Sequence, residues 1–368
     1  MKTRRLPRLF ATLLLLVSVS FGATAEEQSE TVRFTSVPDI FNWNIDYPTP
    51  GWEDTMDWYF KKLKSDGPDF TLVAGDIMDA RWYEPGLIKT KTEQYWGGYV
   101  KRFKDYDITA YVAMGDHEYG DDRGLTMGDV SRLFGKQFEK IMGMPKNGPE
   151  GHVGRAFYTR HHNLLVITLD TFEDIGKRFA YTVGDKQLEW MEKVLIEHKD
   201  AEFVIVQGHL PIVGPVKSKN SSASMLKEGT NSKLWKLMVN YGVDVYLCGE
   251  HHRITVHYHQ GVWQVVHGAL WGTQTDINYM RGICRPGELK LELLEFDVEY
   301  SGGYIGDHPH RGKTNRPREN VALTESTKKD GPRVTGTLTL GFKNIGKRIP
   351  TFEASGWFEK PSPVKSKK

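Results

Sequence analysis

Acidic and imidazole side chains recur in this chain directly after a glycine. Gly75-Asp76-Ile77-Met78-Asp79, Gly115-Asp116-His117-Glu118, Gly208-His209 and Gly249-Glu250-His251-His252 share that form, and Pro38-Asp39-Ile40-Phe41-Asn42 precedes them. A glycine lets the backbone turn sharply, so that the next side chain is directed into a site. Carboxylates and imidazoles drawn from separate parts of a chain suit one or two divalent ions, the first neutralising charge and the second adding borderline ligands. Two such ions about 3.5 to 4 Å apart can share a bridging hydroxide, polarise a phosphoryl oxygen and stabilise in-line displacement. One carboxylate must then touch both ions, and Asp76, central in the series, is the candidate.

The elements that carry these segments read as alternating strands and helices. Short apolar runs at 32–37, 70–74, 110–113, 164–169, 203–206 and 243–247 predict strands, and helix-period segments at 52–64, 130–141, 184–197 and 232–241 lie between them. This alternation predicts an α/β fold, with the polar segments at strand ends, where such sheets open to a ligand crevice. From 254 to 300 strand-like pieces (255–259, 263–267, 289–300) follow one another, which predicts antiparallel pairing. A Gly/Pro/Arg/Lys-rich stretch at 301–332 breaks the pattern, alternation resumes at 334–342, and the lysine-rich segment 360–368 is expected to be disordered.

The first 25 residues form a separate unit. Lys2, Arg4, Arg5 and Arg8 precede the apolar run Leu9 to Phe21, and Ala23-Thr24-Ala25 offers a small-residue cleavage site. The run falls short of the ~20 residues that span a bilayer, so it predicts a cleaved signal peptide and a secreted or periplasmic protein. Residues 26–300 are then the catalytic domain and 301–368 a C-terminal extension with strands and a basic tail. Lys and Arg total 49 against 47 for Asp and Glu, a balance that carries no nucleic-acid-binding signature, and no later segment is apolar enough to span a membrane. An oxidising compartment would permit a bridge between Cys248 and Cys284, although Cys248 ends an apolar run in which a buried free thiol packs well. Asn220-Ser221-Ser222 fits a glycosylation sequon, relevant to a eukaryotic source.

Order and spacing of the polar segments resemble the calcineurin-like metallophosphoesterases, which include the purple acid phosphatases. That family's pattern is Asp-x-His, Gly-Asp-x-x-Asp, Gly-Asn-His-Glu/Asp, a lone His after a strand, and Gly-His-x-His. The resemblance spans about residues 31 to 268, and Leu169-Asp170-Thr171 and Gln187-Leu188-Glu189-Trp190 resemble intervening family segments. It implies a four-layer α/β/β/α sandwich and a phosphate-ester substrate, either monoester or diester. It further implies one metal ion on Asp39, Asp76 and His252, a second on Asp76, Asp116, His209 and Glu250, and His117 beside the leaving group.

Three family positions are substituted. Phe41 stands where the first motif has His, Asp116 where it has Asn, and Glu250 where the last motif has its first His. Purple acid phosphatases also lack the first His and use a Tyr three residues beyond the bridging Asp, a position held here by Asp79. Asp79 or Asn42 is therefore a candidate to complete the first site, and Asp79 as a hydrogen-bond acceptor behind it is the competing role. Asp39, Asp76, Asp116 and Glu250 bring four negative charges against two divalent ions. Such a cradle favours Mn or Fe over Zn, admits Mg or Ca, and favours singly charged diesters. Arg81 and Asn42 are candidate substrate contacts. Trp43, Trp82, Trp96 and Trp271 are candidates to stack on an organic leaving group, and His257, His259 and His267 are expected to lie outside the ligand set. The competing function is a non-catalytic or single-metal relative of the same fold. No Gly-x-Ser-x-Gly elbow and no Gly-x-Gly-x-x-Gly after the first strand supports a serine hydrolase or a dinucleotide enzyme.

Overall fold

The computed structural model describes residues 30–40, 51–78, 80–219, 221–270, 276–304, 307–308, 312–313, 318–344 and 348–364. Its main strands in chain order are β1 (Val32–Val37), β2 (Phe70–Val73), β3 (Ala110–Val112), β4 (Phe157–His161), β5 (Leu164–Thr168), β6 (Phe203–Gln207) and β7 (Val245–Cys248). They continue as β8 (Thr255–His259), β9 (Val262–Val266), β10 (Asn278–Arg285), β11 (Glu288–Glu295), β12 (Arg333–Asn344) and β13 (Arg348–Gly356). One sheet has seven strands in the order β13-β12-β11-β10-β1-β2-β3, and a second has six in the order β8-β9-β7-β6-β5-β4. Within them β1-β2-β3 and β5-β6-β7-β9 run parallel.

Alternation along each strand builds the layers. Phe34, Leu72, Val166, Ile205, Leu247, Leu291 and Leu338 meet in a core between the two sheets, whereas Val37, Val73, Ile167, Val206 and Tyr246 face outward onto helices. Both faces of the parallel strands are covered, which explains runs such as Leu164–Thr168, LLVIT, with no polar alternation. Helices α1 (Trp52–Ser65), α2 (Pro85–Asp105) and α3 (Gly128–Ile141) cover the seven-stranded sheet, with Tyr59 edge-on to Tyr279 of β10 and Trp96 edge-on to Phe138. Helices α4 (Asp185–Glu197) and α5 (Lys233–Asn240) cover the other, where Trp190 packs on Tyr158 of β4. The result is a four-layer α/β/β/α sandwich.

Several elements differ from expectation. Helix α2 is not among the helices read from the sequence, because Gly97-Gly98 and scattered lysines dilute its apolar stripe; its buried Ile88, Thr92, Tyr95, Trp96, Tyr99 and Phe103 do follow a helical spacing. Trp82 and Trp96 are wholly buried, on Tyr95 and on Phe134 and Phe138, and so are not available for stacking; Trp43 and Trp271 lie outside the described residues. His257, read as a surface or cross-strand residue, is buried and pairs across the strands with Gln264. The run read as 289–300 is two strands, β11 and Val298–Tyr304. Part of the segment expected to be disordered is docked: Ser362 donates its N–H to the Val256 carbonyl on the free edge of β8 at 2.7 Å, and Val364 packs on the core. Cys248 and Cys284 are buried free thiols, hydrogen-bonded to the Val265 carbonyl and to Asn163 respectively. Residues 1–25 lie outside the described residues, and no described helix is long and apolar enough to cross a membrane.

Candidate metal centre

Both sheets turn the C-terminal ends of their parallel strands toward one crevice. Asp39 follows β1, Asp76 follows β2, Asp116 follows β3, His209 follows β6, and Glu250 and His252 follow β7. Asp39 also bridges to Ala269, which ties the end of β1 to the chain leaving β9. Asp76, Glu250 and His252 adopt φ of 53°, 73° and 57°, a left-handed conformation that side-chain-bearing residues adopt at a cost of about 1 to 3 kcal/mol each and that concentrates at functional sites. The glycines do more than turn the chain. A Cβ on Gly115 would lie 2.0 Å from Oδ1 of Asp76, and one on Gly249 would lie 2.0 Å from Oδ1 of Asp39. Each missing side chain thus makes room for the carboxylate of a different segment.

Asp76, Asp116, His209 and Glu250 bring ligand atoms within 4.8 Å of one another, as do Asp39, Asp76 and His252, so Asp76 belongs to both groups. His209 fixes the chemistry of the first. Its Nδ1 donates to the Ala74 carbonyl at 2.8 Å, since a carbonyl can only accept. Its Nε2 then faces Glu250 Oε2 at 3.2 Å, Asp116 Oδ1 at 3.4 Å and Asp76 Oδ2 at 3.5 Å. In the second group His252 Nε2 lies 3.4 Å from Oδ2 of Asp39.

A bound cation would relieve the electrostatics of this crevice. Asp39, Asp76, Asp116 and Glu250 are each no more than 2% exposed, and buried charge is tolerated only when paired. Burial, with Asp116 beside it, pushes the Asp76 carboxyl well above its usual range, and burial and Asp116 likewise push Glu250 up. Burial acts on Asp116 too, but the His117 and His209 rings outweigh it and hold that carboxyl down. Burial disfavours a charged His209, yet Asp76 and then Asp116 and Glu250 outweigh it and raise the ring well above the ordinary range. One imidazolium cannot balance four carboxylates. Oδ1 of Asp39 and Oδ1 of Asp116 are buried with no hydrogen-bond donor. Orphaned oxygens, an imidazole lone pair and a carboxylate shared by both groups fit divalent ions.

The calcineurin-like phosphoesterase family matches residues 33–253, more than half of the chain. The chain belongs to that family. Tartrate-resistant acid phosphatase type 5 from Oryctolagus cuniculus is 24% identical over 279 residues, 70% of this chain and 79% of the relative. The Homo sapiens protein of that name is 22% identical over 288 residues, 71% of this chain and 79% of its own. Among solved structures, that of PhoD aligns with a TM-score of 0.52 at 10% identity over 85% of this chain and 70% of the other, a likeness of fold.

As a calcineurin-like phosphoesterase the chain is of a metal-dependent hydrolase family acting on phosphate esters, and its departures from the family pattern can be followed in space. Asp116 and Glu250, at two of the three substituted positions, both turn a carboxylate oxygen to His209. Phe41, Asn42 and Asp79 lie outside the described residues. Half-buried His117 donates its backbone N–H to Oδ1 of Asp76 at 3.2 Å and has a ring nitrogen grouped with Asp116 and Asp121. Arg81, a candidate substrate contact, lays its Nε 2.5 Å from Oδ2 of Asp121, so the guanidinium is engaged at the rim.

Some supporting residues had no assigned role in the sequence. Glu118 accepts N–H groups from Gly115 at 2.8 Å and Asp76 at 2.7 Å on one oxygen and from Ile77 at 3.0 Å on the other, clamping two ligand loops together. Its place in the segment that carries Asp116 and His117 was the available signal. Buried Asp170 accepts from Tyr119, His152 and Arg155 and so braces the turn after Glu118. His267 sits between Ser36 and Asn278, an arrangement that superficially suggests a nucleophile. Asn278 accepts the Gly268 N–H on its oxygen, so its amide nitrogen donates to His267 Nδ1, and Nε2–H must donate to Ser36. That polarity is opposite to the one that activates a serine.

Proposed function

We propose that the protein is an exported phosphoesterase with a two-ion centre, in which Asp39, Asp76 and His252 hold one ion and Asp76, Asp116, His209 and Glu250 hold the other. The observation that carries this is His209 Nε2, turned by the Ala74 carbonyl to face three buried carboxylates. When bound, the ions supply Lewis acidity toward a phosphoryl oxygen and an activated water as nucleophile. His117, pinned through its backbone to Asp76 and half-buried at the mouth, gives a proton to the leaving oxygen or holds a phosphoryl oxygen as a cation. Such a group contributes roughly 10²- to 10⁴-fold in rate. Asp79 or Asn42 completes the first site.

Four carboxylates against two divalent ions support Mn or Fe over Zn and a singly charged diester over a monoester dianion. The test is to strip the protein with chelator, restore Mn, Fe or Zn, and assay one mono- and one diester chromogenic substrate. Mn or Fe giving the higher turnover, with diester kcat/KM at least matching monoester, is expected; stoichiometric zinc with strong monoesterase activity overturns the metal and substrate preference. Export rests on the basic and apolar pattern of residues 1–25. Protein recovered from outside the cytoplasm should begin at Glu26, and a cytoplasmic protein beginning at Met1 refutes export.

A further inference from the structure

Glu250 is one of the positions at which this chain departs from the family pattern, and the structure surrounds it with a device suited to a carboxylate. An imidazole offers one ligating nitrogen, whereas a carboxylate offers two oxygens, either of which can turn to an ion. Here Oε1 is taken. It accepts hydrogen bonds from the Ser222 hydroxyl, from the Ser224 backbone N–H at 3.0 Å and from the Ser221 hydroxyl at 3.3 Å. Only Oε2 is left toward His209, at 3.2 Å. The serine segment is itself fastened to the residues around Glu250. His251 Nε2 donates to the Ser224 carbonyl at 3.0 Å, and Lys219 donates its N–H to the His251 carbonyl at 3.1 Å. Consecutive residues, Glu250 and His251, thus capture both backbone groups of Ser224.

We infer that Ser221 and Ser222 are positioning residues that hold Glu250 in place as a metal ligand, so that one of the two ions is retained through a loop that touches no ion itself. The inference rests on the two-ion reading of the centre. Groups behind a metal ligand fix its orientation and basicity, and losing them costs about 10- to 100-fold in metal affinity. The serine loop matters because the ligand is a glutamate; with histidine at 250, the three donors would have no second oxygen to hold.

The experiment is a calorimetric titration of Mn²⁺ into chelator-stripped, unglycosylated protein: wild type, Ser221→Ala/Ser222→Ala, Glu250→His, and the combination of all three substitutions. The serine double variant should bind one Mn²⁺ about 10- to 100-fold more weakly and the other unchanged. Its fold without metal, read by circular dichroism, should match that of wild type. In the Glu250→His background the same two substitutions should have no further effect on Mn²⁺ affinity. Wild-type affinity for both ions in the double variant overturns the inference and leaves the metal centre standing. An equal loss in the Glu250→His background also overturns it, since the serines would then act without Glu250. A wild-type protein that takes up no Mn²⁺ overturns the centre and this inference together.

Discussion

The Glu118 carboxylate accepts the backbone N–H of Asp76 at 2.7 Å, so the candidate bridging ligand is held from behind by the segment that carries Asp116 and His117. The same carboxylate also satisfies Gly115 and Ile77, which sets the spacing of two strand ends on which the ligand groups depend.

Glu118→Gln keeps shape and loses one acceptor oxygen, leaving an amide NH₂ against a backbone N–H. A buried donor without its partner costs about 1 to 3 kcal/mol. Urea unfolding of the chelator-stripped variant should show a loss of that size, together with weaker Mn²⁺ binding. Unchanged stability and unchanged Mn²⁺ binding would show that the clamp is dispensable.

Asp76 and His117 should separate binding from turnover. Asp76→Asn, which weakens both ligand groups, is expected to lose bound metal and activity together. His117→Asn is expected to keep its metal content and lose roughly 10²- to 10⁴-fold in kcat. Metal analysis alongside steady-state kinetics distinguishes the two. If His117→Asn binds metal and hydrolyses esters as wild type does, the protonic role assigned to His117 is wrong, and a wild type that binds metal without turning over any ester is the non-catalytic relative.

Stability should fall in mild alkali because of His152. Burial opposes the charged ring, but hydrogen bonds to Asp170 and Glu173 outweigh it and push His152 up to about 9 from 6.5. The native state then binds a proton that the unfolded chain releases between those values, so the contribution is full below the unfolded value and is lost as pH rises through about 9. Its size is on the order of 3 kcal/mol. Urea midpoints at pH 6 and pH 9.5 should differ accordingly, and His152→Gln should flatten the difference. A wild-type midpoint independent of pH across this window rules the effect out.

Helices α1, α3, α4 and α5 were visible in the sequence because each carries an apolar stripe of helical period, and the parallel strands because both their faces are buried. Helix α2 was obscured: its stripe is largely aromatic and interrupted by Gly97-Gly98, and what decides its helicity is the fit of Tyr95, Trp96 and Tyr99 against neighbouring elements. The tail around Ser362 was likewise unreadable, since its order comes from a free carbonyl on β8, contributed by a residue about a hundred positions away.

The sequence by itself determined the chemistry available: Asp39, Asp76, Asp116, His209, Glu250 and His252, each at the end of a strand, in an order resembling one family. Residue type and local turn chemistry are written locally, so a single chain suffices to read them. Only the tertiary structure decided which oxygen of Glu250 is free, which nitrogen of His209 faces the carboxylates, that Gly115 and Gly249 make room for Asp76 and Asp39, and that Arg81 is engaged by Asp121. Those outcomes depend on hydrogen bonds and close approaches between segments distant in the chain, which local sequence does not specify.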